Sequence, residues 1–192
     1  YMSLHFKNYA KWIKNKIFKN KNINVIEIGS NDGTMLENFK KFGDEYIGFE
    51  PSSSVAKVAK KKNINTLNKF FSYQNISDLK KFKKKTDIIC AANVICHIPD
   101  LIDLIKGINL ALNKKGIFVF EEPYLGSMFK KTSYDQIYDE HIYIFSITSI
   151  KKIFEKFDFD IIDAIPQVTH GGSMRYVVSR KNQYQKTNRL LK

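Results

Sequence analysis

At 192 residues, with 43% hydrophobic and 14% aromatic side chains, the chain has the apolar content of one α/β domain with a proper core, which excludes a disordered protein. No apolar run approaches the about 20 residues of a membrane span, and no signal peptide precedes the first helix, so a cytoplasmic protein is expected. The net charge of +13 invites a nucleic-acid reading, but only Arg175, Arg180 and Arg189 among the basic residues are arginines, and the lysines are spread over surface helices rather than interleaved with aromatics in one patch. Nucleic acid is therefore not expected as a partner; the charge reads as lysine-rich composition, with an anionic, phosphorylated ligand as the alternative.

Ser3 could cap a first helix over 4–18, to which Phe6, Tyr9, Ala10, Ile13 and Ile17 give an apolar stripe. Val25, Ile26 and Ile28 then make a short apolar run that reads as a buried parallel strand, β1. Gly29-Ser30-Asn31-Asp32-Gly33 follows at once, and Met35, Leu36 and Phe39 continue at helical spacing up to Gly43. Strand, glycine turn and helix together let a ligand approach the backbone closely, with the free N–H groups of the helix N-terminus beside it. Glu27 lies inside the strand, where an acid is improbable without a task. The third glycine of the dinucleotide fingerprint is missing and no Gly-Lys-Ser/Thr follows, which argues against an NAD site and a P-loop. The stretch resembles the E-x-G-x-x-x-G motif of class I S-adenosylmethionine (SAM) methyltransferases, which would set Glu27 and Gly29 to Gly33, with Ser30, Asn31 and Asp32 between, around the methionine end of that cofactor.

A second strand, β2, over 46–49 ends in Glu50-Pro51-Ser52. An acid at that place is where this fold accepts both ribose hydroxyls, so Glu50 is the candidate for that role and Ser52 a weaker one; a surface acid capping the helix over 53–61 is the plain alternative. A third strand, β3, is expected over 66–70. Phe70 and Phe71 come where an adenine ring would need a flat apolar wall, or where the core needs filling. β4 over 86–92 is apolar enough to be central, and Asn93 and His97 follow its carboxyl end, where ligands sit in open α/β sheets. A helix is expected over 100–112, a turn at 113–116 and β5 over 117–120, ending in Glu121-Glu122-Pro123.

The connection from Pro123 to Phe145 is long, and long ordered connections are usually functional. It carries Tyr124, Lys130, Lys131, Tyr134, Tyr138, Glu140 and His141. A helix over 147–156, β6 over 159–165, a tight turn at His170-Gly171-Gly172 and β7 over 174–180, antiparallel to β6, complete the pattern. The two cysteines, Cys90 and Cys96, lack metal-ligand spacing and read as core packing, so no metal is expected here. The expected organisation is an N-terminal helix (1–22), a class I SAM-methyltransferase domain with a Rossmann-like, seven-stranded sheet closed by an antiparallel β6–β7 hairpin (23–180), and a polar tail (181–192). The start at Tyr1 and the polar end suggest a piece of something longer.

The segments AANVICHIPDL, FVFEEPYLG, KTSYDQIYDEHIYIFS and HGGSMRY together resemble the deoxysugar C-methyltransferases. The resemblance implies SAM as cofactor and a nucleotide-linked sugar as small-molecule substrate, methylated on a carbon next to a ketone. It implies Tyr138 and His141 as the catalytic pair, with His97 and Glu140 as supporting polar groups. Members of that family carry a cysteine-rich zinc domain before and an α/β domain after the SAM domain; zinc would enter only with the former. Tyr124, Lys131 and Tyr134 are candidate substrate ligands, and Arg175 joins them if the β6–β7 turn reaches the pocket. A SAM-dependent enzyme for RNA, protein or another small molecule, or a SAM-fold module without catalysis, is the competing reading.

Overall fold

The computed structural model describes residues 1–133 and 135–191. Seven segments pair into one sheet: β1 (Asn24–Ile28), β2 (Glu45–Phe49), β3 (Thr66–Leu67), β4 (Thr86–Ala92), β5 (Leu112–Pro123), β6 (Phe159–Gln167) and β7 (Ser173–Arg180). Their order is β3-β2-β1-β4-β5-β7-β6. β1 runs parallel to β2 and β4, and β4 to β5, whereas β7 is antiparallel to both its neighbours. This is the expected class I methyltransferase arrangement, hairpin included. The chain steps outward from β1 to β3, returns to β4 and then builds the other half. The carboxyl ends of β1 and β4 therefore flank the crevice where such sheets take ligands.

The helices in chain order are α1 (Met2–Trp12), α2 (Leu36–Lys41), α3 (Ser53–Lys61), α4 (Tyr73–Asp78), α5 (Leu101–Ala111), α6 (Leu125–Lys131), α7 (Ile147–Glu155) and α8 (Asn188–Leu191). Alternation along the strands splits the core in two. Val25, Cys90, Val119 and Val177 face Tyr9 and Ile13 near the N-terminus, Leu36 and Phe39 of α2 and Ala59 of α3. Ile26, Ile89, Phe118, Phe120 and Tyr176 face Ile76 of α4, Leu104 and Ile108 of α5 and Phe154 of α7. Phe120 is the centre of the second layer, stacked at 4.7 Å on Phe118 and at 4.9 Å on Tyr176. No helix among the described residues is long and apolar enough to cross a membrane.

Several local expectations change. The first helix ends at Trp12 and continues as a π-helical turn, Ile13–Ile17. Lys14 within that turn is buried and reaches Asp44 at 2.6 Å and the Lys21 carbonyl, which fastens this chain segment to the edge of β2. β3 is shorter than expected, because the Asn68 amide turns back to the carbonyls of Glu50 and Pro51. The expected turn at 113–116 belongs to β5: Arg180 binds the carbonyls of Asn109, Leu112 and Asn113, Asn113 binds Asp87, and the ladder with β4 shifts register to accommodate it. The long connection after β5 contains α6, whose Tyr124 end is tied to Phe145 by an isolated bridge. Ser3, expected as the cap of the first helix, lies inside α1, which starts at Met2 with no side-chain cap. Ser146 caps α7 in a reciprocal pair with Ser149.

Candidate functional site

Glu27 is 5% exposed and its Oε2 has no partner among the described residues. Burial, followed by the negative charges of Asp32 and Glu50, pushes its carboxyl well above the usual range, against a backbone hydrogen bond from Leu36. The turn after β1 uses left-handed backbone at Gly29 (φ 64°), Asn31 (φ 48°) and Gly33 (φ 80°). Glycine is required twice over here, since a Cβ at Gly29 would strike the Val94 side chain and one at Gly33 would strike Ile64.

Glu50 sits at the end of β2 and is 8% exposed. Its two carboxylate oxygens accept the N–H groups of Asn31 at 3.0 Å and Ser52 at 2.8 Å, so it ties the glycine turn to the start of α3. Ser52 is the N-cap of α3, and its hydroxyl meets the Ser54 hydroxyl instead of a backbone N–H of the helix. Ser30 packs its hydroxyl against Gly48, where it too lacks a hydrogen-bond partner among the described residues. Asp32 binds Thr34 and the Lys62 ammonium. Its partial burial pulls upward, but the Lys62 and Thr34 bonds outweigh it and hold the carboxyl below its usual range. Asn93 is left-handed (φ 55°), bonded through its N–H to the Glu121 carbonyl, with a buried Oδ1 that has no partner among the described residues. Phe71 fills the core edge-on to Phe49 at 5.2 Å, leaving Phe70, 72% exposed, as the free aromatic surface.

The catalytic candidates converge from two segments. His97 ends a short 3-10 turn, Ile95–His97, and His141 follows the turn 138–140. Tyr138 Oη lies 3.0 Å from His141 Nε2. His141 Nδ1 lies 2.7 Å from the Gln136 carbonyl and His97 Nδ1 2.6 Å from the Glu140 carbonyl. Carbonyls only accept, so both rings carry their hydrogen on Nδ1 and have their acceptor lone pair on Nε2, which in His141 is met by the Tyr138 hydroxyl. The two rings are 5.0 Å apart. Glu140 thus orients an imidazole, as a partner of His97, but through its main chain; its exposed side chain has no part in it. Slight burial, then the Glu140 charge, raises the Tyr138 phenol, so Tyr138 is a proton donor to His141 Nε2 at neutral pH.

Glu121 and Glu122, successive acids in a buried strand, are the residues that the sequence reading passed over. Both are 0% exposed and they face opposite ways. Glu122 accepts the N–H groups of Val94 (3.0 Å) and Ile95 (2.7 Å), which grips the turn carrying Cys96 and His97. Burial raises its carboxyl despite these bonds. Burial, then the Glu122 charge, pushes the Cys96 thiol far up, so Cys96 is no free nucleophile. Tyr143 binds the Cys96 and Pro99 carbonyls and closes the two segments on each other.

Arg175 corrects an expectation. Its guanidinium is not at the crevice surface but under α1, bonded to Glu121 (Nε to Oε1, 2.6 Å) and stacked on Tyr9 at 4.0 Å and Trp12 at 4.8 Å. The strand alternation that sends Glu122 to one face sends Glu121 and its partner Arg175 to the other. His5 of α1 takes the second oxygen of Glu121 at 2.6 Å. Lys131 is bonded to the Gly171 carbonyl and Tyr124 is half-buried with its N–H on Gly172, so both touch the β6–β7 turn. Burial, then the charge of His141, lowers the pKa of His170 in that turn. Tyr134 lies outside the described residues.

A family model described as a methyltransferase domain matches residues 3–164. The chain belongs to this family. The C-methyltransferase NovU of Streptomyces niveus is 29% identical over 150 residues, which are 78% of this chain and 36% of that protein, so the chain spans about a third of the length of this relative. Magnesium protoporphyrin IX methyltransferase from Synechocystis PCC 6803 superposes with a TM-score of 0.68 at 13% identity, over 94% of this chain and 80% of that one. An S-adenosylmethionine-dependent methyltransferase structure from Listeria monocytogenes gives 0.66 at 14%, over 91% and 100%. At such identities these structures share the fold.

The unpartnered Glu27 has a consequence for stability. An acid whose pKa is higher in the fold than in the unfolded chain contributes fully below its unfolded value, and that contribution is lost as pH rises toward the folded one. Glu27→Gln is therefore expected to raise the thermal midpoint at pH 7 by roughly 2–4 °C for each kcal/mol relieved. The gain should vanish below about pH 4, where the unfolded carboxyl is itself protonated. Thermal melts of both proteins across pH 3.5–8 check this; an equal gain at every pH would mean that charge burial is not the cause.

Proposed function

We propose that this methyltransferase domain uses S-adenosylmethionine to methylate a carbon α to a ketone in a nucleotide-linked deoxysugar. The observation that carries the reading is the Tyr138–His141 pair, in which a backbone carbonyl fixes the His141 tautomer and leaves Nε2 basic. The chain's residues also fit the cofactor: Glu27 Oε2, Ser30 Oγ and Asn93 Oδ1 are buried polar atoms without partners among the described residues, and all three come from segments that flank the crevice. Gly29 to Gly33 with Asn31 and Asp32 would line the methionine end, Glu50 and Ser52 the ribose, Phe70 the adenine and Asn93 the sulfur side. When bound, S-adenosylmethionine supplies the electrophilic methyl group.

The remaining chemistry belongs to the protein. His141 Nε2 takes the α-proton, and Tyr138, as a donor, meets the ketone oxygen on which charge develops. His97, held by the Glu140 carbonyl and the Glu122-gripped turn, supports the His141 ring from one side. Tyr124, Lys131 and Tyr134 are the substrate-contact candidates; Lys131 would leave the Gly171 carbonyl for an anionic group. Another substrate class, or a SAM-fold module without catalysis, is what the following test separates.

Calorimetric titration with S-adenosylhomocysteine is expected to give micromolar binding. Glu50→Ala should weaken it by about 10²-fold or more, since two hydrogen bonds to a charged group are each worth about 1.5–3 kcal/mol. Binding with methyl transfer to a keto-sugar nucleotide supports the enzyme reading. Binding without transfer to any member of a keto-sugar panel favours the alternatives, and unchanged binding in Glu50→Ala removes Glu50 from the ribose.

A further inference from the structure

We infer that Cys96, His97 and His141 form a binding site for a thiophilic divalent cation of the zinc class, and that its occupation switches off the base proposed above. One ligand atom from each of the three residues lies within 4.8 Å of the others. Each imidazole gives its Nδ1–H to a backbone carbonyl, the outer hydrogen bond that fixes tautomer and ring plane in metal-ligating histidines, and so presents an unprotonated Nε2. The donor set of one sulfur and two imidazoles suits zinc or cobalt and disfavours magnesium and calcium, which need oxygen ligands.

The site is held where it counts. Cys96 and His97 share the turn whose amides are gripped by the buried Glu122, and the Cys96 carbonyl accepts the Tyr143 N–H from the other segment. Tetrahedral zinc needs its ligand atoms about 3.5 Å apart, so the three must close by about 1 Å. Cys96 is 1% exposed and held in the core, so the closing movement falls to the half-buried His97 and His141 side chains. Three protein ligands leave a fourth position for water or for Tyr138 Oη, which already touches His141. On binding, the Cys96 S–H bond breaks, a sulfur–metal bond forms and the proton leaves to solvent. The Nε2 lone pair of His141 then belongs to the metal and cannot take a substrate proton. Neither cysteine has metal-ligand spacing in the sequence; the site arises because a loop beyond β5 folds back on the turn after β4.

This inference rests on the proposed role of His141 only for its consequence, so the test reads the metal directly. The full chain, reduced and free of chelator, is titrated with Co²⁺. The expected result is stoichiometric binding with visible bands of tetrahedral cobalt and a near-ultraviolet thiolate-to-cobalt band, displaced by Zn²⁺. The near-ultraviolet band should disappear in Cys96→Ser, and His97→Asn should weaken binding at least about 10-fold. Thermal melts and S-adenosylhomocysteine titration establish that each variant is folded. No charge-transfer band in the wild-type chain, or a band undiminished in a folded Cys96→Ser, overturns the site whether or not the methyltransferase reading holds. Failure to bind S-adenosylhomocysteine, with the band present, would count against that reading alone.

Discussion

His141→Asn should lower methyl transfer by about 10²–10⁴-fold, the range for losing a positioned general base, and leave S-adenosylhomocysteine affinity unchanged. Asparagine can still donate to the Gln136 carbonyl that His141 Nδ1 contacts at 2.7 Å, so the loop keeps its anchor and loses only the basic nitrogen. Tyr138→Phe keeps the ring, tilted at 38° with its centroid 4.1 Å from that of His141, and removes the phenol that lies 3.0 Å from Nε2. It should cost less than the loss of His141, because the base survives. Exchange of the substrate α-proton with deuterated solvent separates the roles without requiring the methyl step. His141→Asn should abolish exchange, and Tyr138→Phe should slow it. Exchange at the wild-type rate in His141→Asn would move the base elsewhere, and His97, whose Nε2 is also unprotonated, would become the first place to look.

What the sequence could reveal follows from the range of the interactions involved. The apolar runs at β1 and β4 and the helical spacing of α3 are local, and their limits match the expected ones closely. The Tyr138–His141 contact was legible for the same reason, since both residues belong to one turn, closed by the His141 N–H on the Tyr138 carbonyl. Glu122 was read as lying just past the end of β5, whereas the strand runs on to Pro123, and its task depends on the turn after β4 lying beside that end. That adjacency is tertiary. Arg175 was left conditional because residue type alone cannot tell which face of β7 it occupies; the register Glu121↔Arg175 decides that. The convergence of Cys96 and His97 with His141 was hidden likewise, the first two sharing the turn after β4 and the third lying in the loop after β5.

Arg175 gives the largest expected loss of stability. Arg175→Met removes the guanidinium from a carboxylate that is 0% exposed, and breaking one side of a buried ion pair costs about 3–5 kcal/mol when the other charge is stranded; with His5 still on the second oxygen of Glu121, about 3 kcal/mol is expected. In a chain of this size that amounts to roughly 6–12 °C in thermal midpoint. Stacking on Tyr9 and Trp12 would be replaced by the flexible methionine side chain, so lost packing is the lesser part. The double variant Arg175→Met with Glu121→Leu tests the cause. If the stranded charge dominates, the double variant recovers most of the loss, because apolar replacement of a whole buried pair is often neutral or stabilising. His5 also binds Glu121 through its second oxygen, so the double variant should leave α1 with weaker hydrogen-exchange protection even where global stability returns. If Arg175 instead served a substrate from its place under α1, the single variant would keep its midpoint and lose substrate affinity. The 2.6 Å bond from Nε to Glu121 predicts the opposite order of effects.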